Sequence, residues 1–593
     1  DTITGGSGSA DRLEVTLGNN AETVVVSAAS NGFQLSLPGA ALSVSGLEIC
    51  DLQTGGGADA VTINALSAAQ LGRINLDLGV DSARDTVSIS GTSGADAYSL
   101  SVSSGAVEIA GSGGTTVMVN NAGSSQGGSI LTIDLAAGND SLDVHATVAG
   151  VSTRIYGGSG DDTIRVGASG DVNAIAQGIL IDGQGGSDTL YVIDNDQDGS
   201  ETASLTPTTV SGLDMGGDIT YFGVELLNLL LGSRPDTVNV LGTNASTITT
   251  LYSGEGNDLV NVGSAAGGMV GDLAGKLVVD GQGGWDSLNL DNSNAPVAWD
   301  GSLTSTTIRG LGMGEGIDYY GLESLQMLLS AGTFLIDGTV PVSTAISTAG
   351  YLTVYLALAP AGGISLEAAQ GIAAGEIEAQ DLILETLGNI TDLKGSVQAQ
   401  DVSLSAAGSI TLGPVICPEL NATAGGTLYL DTTVGALEAV AGGDIVVVES
   451  DSVLLRSLTS TAGSVTVTAG GSITAQAVTA VGDVALSAGG STTAQSITSG
   501  GAATLTAGAD ITAHQVTAGT ELRIEAAGGI AAGMLQGRTA NLVSGGNITD
   551  LPGSIQGLRV HLTAVGNIQL GPVVAEELVA EAGGAVILAT EVG

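Results

Sequence analysis

Six aspartates stand in or beside glycine-rich turns. They are Asp140 in AAGNDSL, Asp162 in GGSGDDTI, Asp188 in GQGGSDTL, Asp236, Asp258 in SGEGNDLV and Asp286 in GQGGWDSL. Neighbours within each set, Asp140, Asp162 and Asp188 or Asp236, Asp258 and Asp286, are 22 to 28 residues apart. Carboxylate oxygens beside carbonyls that glycine leaves accessible suit calcium, which takes about six to eight oxygen ligands. One aspartate per turn approaches that number only if successive turns stack in register. The six aspartates are therefore candidate calcium ligands in two columns. The same residues also suit a second role, in which Asp and Asn cap a turn by hydrogen-bonding the backbone and glycine adopts a positive φ.

Other chemistry is sparse. His145, His514 and His561 are the three histidines, and none has a metal-ligand spacing such as HExxH. Trp285 and Trp299 lie beside Asp286 and Asp300, a pairing that could form a sugar platform or pack at a core edge. Asp161 and Asp162 are adjacent, and adjacent residues on a strand diverge, so they make a poor catalytic pair. GGSGDD lacks the lysine and following helix of a phosphate-binding loop. Beyond residue 360 the single aromatic is Tyr429. These features predict a protein without catalytic residues. Cys50 and Cys417 read as small buried thiols. Asn389 and Asn547 sit in Asn-x-Thr sequons, so a glycan is possible there.

Composition narrows the function classes. Asp and Glu number 61 against 13 Lys and Arg, a formal net charge of −48, which opposes nucleic acid and anionic lipid. Only 12% of residues are charged, so the surface must be mostly Ser, Thr, Gly, Asn and Ala, as expected of an extracellular or bacterial cell-surface protein. The 94 glycines come with only 10 prolines and no Gly-X-Y period, which excludes collagen. No apolar run reaches the ~18–20 residues that span a membrane as a helix. The chain starts at Asp1 without a signal peptide, which suggests a processed piece of something longer.

The elements that position these residues come in repeats. In residues 1–340 the Gly/Asp turns lie within a super-repeat: 180–231 returns at 278–329, offset by 98. A Gly-Φ-Glu-x-Φ-x-Φ stretch (Φ apolar) occurs at Glu48, Glu225 and Glu323. Residues 341–360 read as a junction. In 361–593, TAGGSIT, SAGGSTT, TAGADIT and AAGGIAA keep a spacing of 19, and 364–435 returns at 522–593, offset by 158. The chain stops inside that second copy, so the native polypeptide is expected to continue.

Within units, apolar residues alternate, as in Ser464-Val465-Thr466-Val467-Thr468. Period two means a strand with one buried face. Short strands in units that cannot bury their own inner face predict an all-β parallel β-helix or β-solenoid, with coils of about 19–28 residues. Some 25–30 coils at the strand spacing would make a rod on the order of 130 Å. For residues 1–340, tandem β-sandwiches at the 98-residue offset are the alternative.

GGSGDDTI fits GGxGxDxU, so residues 1–340 resemble degenerate repeats-in-toxin (haemolysin-type calcium-binding) repeats. Residues 361–593, with their AGGSIT and GNIT units, resemble filamentous-haemagglutinin-like exoproteins. The toxin nonapeptides follow one another directly, whereas here each stands alone, and GQGGSDTL and GQGGWDSL carry Gln184 and Gln282 where the pattern has glycine. Both resemblances imply a giant adhesin-like protein of the bacterial exterior, self-associating into fibres or contacting a host or cell-surface matrix. A carbohydrate-binding or carbohydrate-active protein on the same scaffold is the alternative.

Overall fold

The computed structural model describes residues 2–6, 11–64, 71–111, 113–123, 128–196 and 199–592. Among them every regular element is a β-strand, and there is no helix. The chain forms two compact units: Asp1–Ala295 with Thr306–Leu325, and Pro296–Ser305 with Gln326–Gly593. The junction expected at 341–360 falls inside the second unit. There Gly301–Thr304 pairs with Thr333–Thr339, which pairs in turn with Tyr351–Ala368.

In the first unit each coil carries two strands that stack on their equivalents. One column runs Ser129–Asp134, Val151–Ser159, Ile179–Gly185 and Ile219–Phe222, all parallel. Beside it run Ala97–Ser103, Ser141–Val144, Thr163–Val166, Thr189–Ile193 and Leu226–Leu230. The register places like on like: Leu142, Ile164, Leu190 and Leu227 form one row, and Val144, Val166, Val192 and Leu229 the next. Every one of these side chains is at most 2% exposed. The period-two pattern thus becomes continuous apolar ribs, each fully buried side chain contributing about 1.5–3 kcal/mol.

The 98-residue super-repeat is one such stack closed by an antiparallel meander. Thr202–Leu205, Thr209–Gly212 and Ile219–Phe222 pair antiparallel in sequence order. Ile219–Phe222 finishes the first column, while Thr202–Leu205 starts a new one with Thr237–Val240, Leu259–Val262 and Ser287–Asn292. The strand Leu226–Leu230 serves both stacks, pairing with Thr189–Ile193 on one side and Ile248–Tyr252 on the other. Similar meanders span Thr23–Ala29 to Ala40–Ser45 and Ala97–Ser103 to Thr116–Asn120. The tandem β-sandwich alternative is therefore corrected. The long period comes from meanders inside a parallel solenoid, not from separate antiparallel domains.

In the second unit the 19-residue spacing is the coil itself. Val465, Val484, Ala503 and Leu522 stack in register, as do Ile473, Thr492, Ile511 and Ile530. Ala475, Ala494, Ala513 and Ala532 form another row, at most 1% exposed, so a narrow interior is filled without aromatics.

Candidate functional site

The turn around Asp162 shows how the acidic positions are built. Gly158 and Gly160 have φ of +102° and +127°. A Cβ on them would sit 1.9 Å from the Ala136 carbonyl oxygen and 1.7 Å from that of Gly138. Only glycine lets this corner lie on the coil before it. With the corner set, Asp162 points inward and is 1% exposed.

The six candidate aspartates do stack, in the two columns that the spacing suggests. Asp96 N–H donates to Asp140 Oδ1 at 2.7 Å, Asp140 N–H to Asp162 Oδ1 at 2.8 Å, and Asp162 N–H to Asp188 Oδ1 at 2.8 Å. Asp188 N–H closes the run on Glu225 Oε2 at 2.7 Å. In the next stack Glu201 N–H donates to Asp236 Oδ1, Asp236 N–H to Asp258 Oδ1 and Asp258 N–H to Asp286 Oδ1, each at 2.8 Å. Asp286 N–H ends on Glu323 Oε2 at 2.8 Å. A third run joins Glu22, Asp59 and Asp85, and Asp11 N–H donates to Glu48 Oε2. The Gly-Φ-Glu glutamates Glu48, Glu225 and Glu323 are thus the end rungs of these ladders.

The residues before Asp162, Asp188 and Asp286 make a second ladder in the opposite sense. Asp161 N–H donates to Asn139 Oδ1 of the coil before, Ser187 N–H to Asp161 Oδ1, and Trp285 N–H to Asn257 Oδ1, at 2.9–3.0 Å. Two successive turn amides are thereby satisfied by side chains from opposite neighbours. That geometry explains the paired Asn139-Asp140, Asp161-Asp162 and Asn257-Asp258 steps.

One oxygen of each candidate aspartate already accepts a main-chain N–H. The second oxygens of Asp140, Asp162, Asp188, Asp258 and Asp286 are buried without a hydrogen-bond partner. Among the described residues no three His, Cys, Asp or Glu side chains converge as a metal site. The carboxyls are one to a coil, so most of the roughly six to eight oxygens that calcium takes would have to come from backbone carbonyls. Burial pushes the Asp140, Asp162, Asp236 and Asp286 carboxyls above the usual aspartate range, and those of Asp188 and Asp258 up to about 6. Neighbouring acids add to the rise at Asp188 and Asp258.

Asp194 and Glu201 form a further acidic pair. Burial, and then the hydrogen bond to Asp194, raise Glu201 to about 8. Asp194, 2% exposed, accepts the Val172 N–H at 3.4 Å. One super-repeat later Asn292 occupies the equivalent place. It accepts the Val270 N–H at 3.2 Å and donates its amide to the Leu311 carbonyl at 3.0 Å.

The remaining candidates do not assemble. His145 Nδ1 meets Ser169 Oγ at 2.9 Å, and His514 and His561 are exposed. Trp285 and Trp299 are exposed, but Asp286 is a buried rung and Asp300 accepts the Thr333 N–H. Asp161 is exposed and Asp162 buried, so the adjacent carboxyls diverge. Cys50 and Cys417 are free, buried thiols, raised to about 12 by burial and, to a smaller degree, by neighbouring acids. Asn389 and Asn547 are exposed, and each Oδ1 accepts the N–H of the next coil, at Ser409 and Asn567. The second unit repeats this device with Asp444, Ser464 and Asp483.

No protein-family model matches the chain, and no curated protein matches it. Glu22, Asp85, Asp96 and Glu201 were not singled out by motif, because their turns lack the full Gly-Asp pattern. The usable signal was an acid immediately before an alternating strand.

Proposed function

We propose that this chain is a non-enzymatic structural segment of a secreted, adhesin-like protein, an elongated scaffold at the bacterial cell exterior. One observation carries the reading: its inward acidic and turn-capping side chains are engaged in holding coil to coil. Asp140, Asp162 and Asp188, and likewise Asp444, Ser464 and Asp483, bond to the backbone of the adjacent coil. Parallel stacking makes length, and every added coil buries the rib of the one before it. The small, acidic surface suits an exposed position outside the cell, with self-association or a surface matrix as partner. Electron micrographs of the purified chain test this. Thin particles of uniform width, joining laterally or end to end as concentration rises, are expected. Isolated round particles at all concentrations would overturn it.

A second reading, glycan contact, is favoured by two outward triads in the first unit. Tyr156, Asp182 and Phe222 are neighbours in one column, and Tyr252, Asp280 and Tyr320 in another. In each, a carboxylate stands between aromatic rings two coils apart, about 9.6 Å at the strand spacing. That is a stacking and hydrogen-bonding pattern for a neutral or amino sugar chain. Retention on a glycan array that Tyr320→Ala abolishes would support it, and no retention would remove it.

A further inference from the structure

We propose that the buried aspartate ladders of the first unit are proton-binding sites. The second carboxyl oxygens of Asp140, Asp162, Asp188, Asp258 and Asp286 carry a proton in the folded chain, so the stack tightens as the medium acidifies.

The geometry starts from oxygens with nothing to accept from. Asp140, Asp162, Asp188, Asp258 and Asp286 are 1–3% exposed, and each Oδ2 lacks a hydrogen-bond partner. Oδ1 is fixed on a main-chain N–H, so the orientation of the carboxyl is set. At Asp162, Asp188 and Asp286 a glycine five residues earlier lies beside both Oδ2 and a carbonyl oxygen of the next coil. A point beside the Gly157 Cα lies 2.6 Å from Asp162 Oδ2 and 2.6 Å from the Gly183 carbonyl oxygen. The corresponding point at Gly183 lies 2.5 Å from Asp188 Oδ2 and 2.0 Å from the Gly223 carbonyl oxygen. At Gly281 the distances are 2.8 Å to Asp286 Oδ2 and 2.1 Å to the Gly321 carbonyl oxygen. At these three turns the carboxyl and a carbonyl of the next coil both lie close to the glycine, and no hydrogen-bond donor reaches Oδ2.

Two places in the same fold show what such a position requires. Before Asp258 the glycine is replaced by Ser253, whose hydroxyl donates to the Gly281 carbonyl at 3.0 Å. The carbonyl that elsewhere lies close to the glycine here receives a proton donor. At the position of Asp194 the following repeat carries Asn292, a neutral isostere that accepts with one atom and donates with the other.

The charges around the rungs favour the neutral form. Asp188 is faced by Asp162 and Asp161 from one neighbouring coil and Glu225 from the other, all acidic. Asp258 is faced by Asp236 and Asp286 from its two neighbouring coils and by Ser253 of its own. Both groups titrate near 6 in the folded chain, chiefly because of burial, against about 3.9 for an unfolded aspartate. A raised folded value stabilises fully below the unfolded value, and that contribution is lost as pH rises through the folded one. Each such rung makes folding up to about a hundredfold more favourable below pH 4 than well above pH 6.

The test is urea unfolding of the full chain between pH 4.5 and 8, with Asp188→Asn and Asp258→Asn beside the half-buried surface control Asp134→Asn. The wild-type first transition is expected to move to higher urea as pH falls. Each ladder variant should lose about one group's share of that slope and gain stability above pH 6, and the control should keep the slope. In parallel, the infrared carboxylic-acid band of the folded chain at pH 5 should weaken in D188N and D258N. A transition that weakens or stays fixed on acidification overturns the proposal. So does an unchanged slope in both ladder variants, or an acid band that the variants leave intact.

Discussion

Replacing Asp162 with alanine separates a stacking role from a surface role at single-residue resolution. Asp162 Oδ1 is the acceptor for the Asp140 N–H at 2.8 Å, in a site where the side chain is 1% exposed. Removing it leaves that amide buried with no partner, a loss of about 1–3 kcal/mol. The substitution also deletes a carboxyl whose own burial is unfavourable, so the net destabilisation near neutral pH is expected at the lower end, roughly 1–2 kcal/mol. The neighbouring Asp161 also caps an amide, Ser187 N–H at 2.9 Å, but it is exposed and water replaces it. Asp161→Ala should therefore cost no more than about 0.5 kcal/mol. Denaturant midpoints give the two stabilities, and hydrogen exchange gives the site. Asp140 N–H should exchange faster in D162A by a larger factor than the global loss of stability accounts for. Equal effects of the two substitutions, or an unchanged Asp140 amide in D162A, would refute the ladder argument.

Three further outcomes follow from the same packing. Gly183→Ala places a Cβ 2.0 Å from the Gly223 carbonyl oxygen and should destabilise by about 3 kcal/mol. Gly105→Ala, at φ +83° with open space around it, should cost only about 1 kcal/mol of backbone strain, so equal effects on melting would contradict the close-stacking account. Calcium added to chelator-treated chain should give no heat and no rise in Tm, because the carboxyls are already bonded to backbone. A stoichiometric heat would contradict that account. Cys50 and Cys417 should stay unlabelled by a thiol reagent until denaturant is added, since burial raises both to about 12. Rapid native labelling would contradict that burial.

Much of this fold can be read from the residues, because a solenoid repeats its local rules. Alternation in segments such as Val465-Thr466-Val467 specifies a strand with one buried face, and the 19-residue spacing is the coil register itself. The columns of Asp140, Asp162 and Asp188 were also legible, because stacking turns bring equivalent residues together. What those carboxyls bond to was not. A spacing of 22 or 26 residues places two aspartates on adjacent coils, but an oxygen reaching an amide and an oxygen reaching a cation share that spacing. The choice rests on the orientation of Asp162 Oδ1, which Gly158 and Gly160 set through contacts with Ala136 and Gly138 in another coil. The meanders were hidden for a related reason. Thr209–Gly212 alternates like its neighbours, and nothing local marks it as antiparallel. The 341–360 stretch lies within the second unit, where Thr333–Thr339 pairs onward with Tyr351–Ala368.

The central claim is that the chain is built as stacked coils rather than as a globule, and small-angle scattering in solution tests it most directly. A solenoid of stacked coils predicts a linear rod region with a cross-sectional radius of gyration on the order of 10 Å. A curve without a rod region, with a radius of gyration near the ~25 Å of a compact chain of this length, would contradict it.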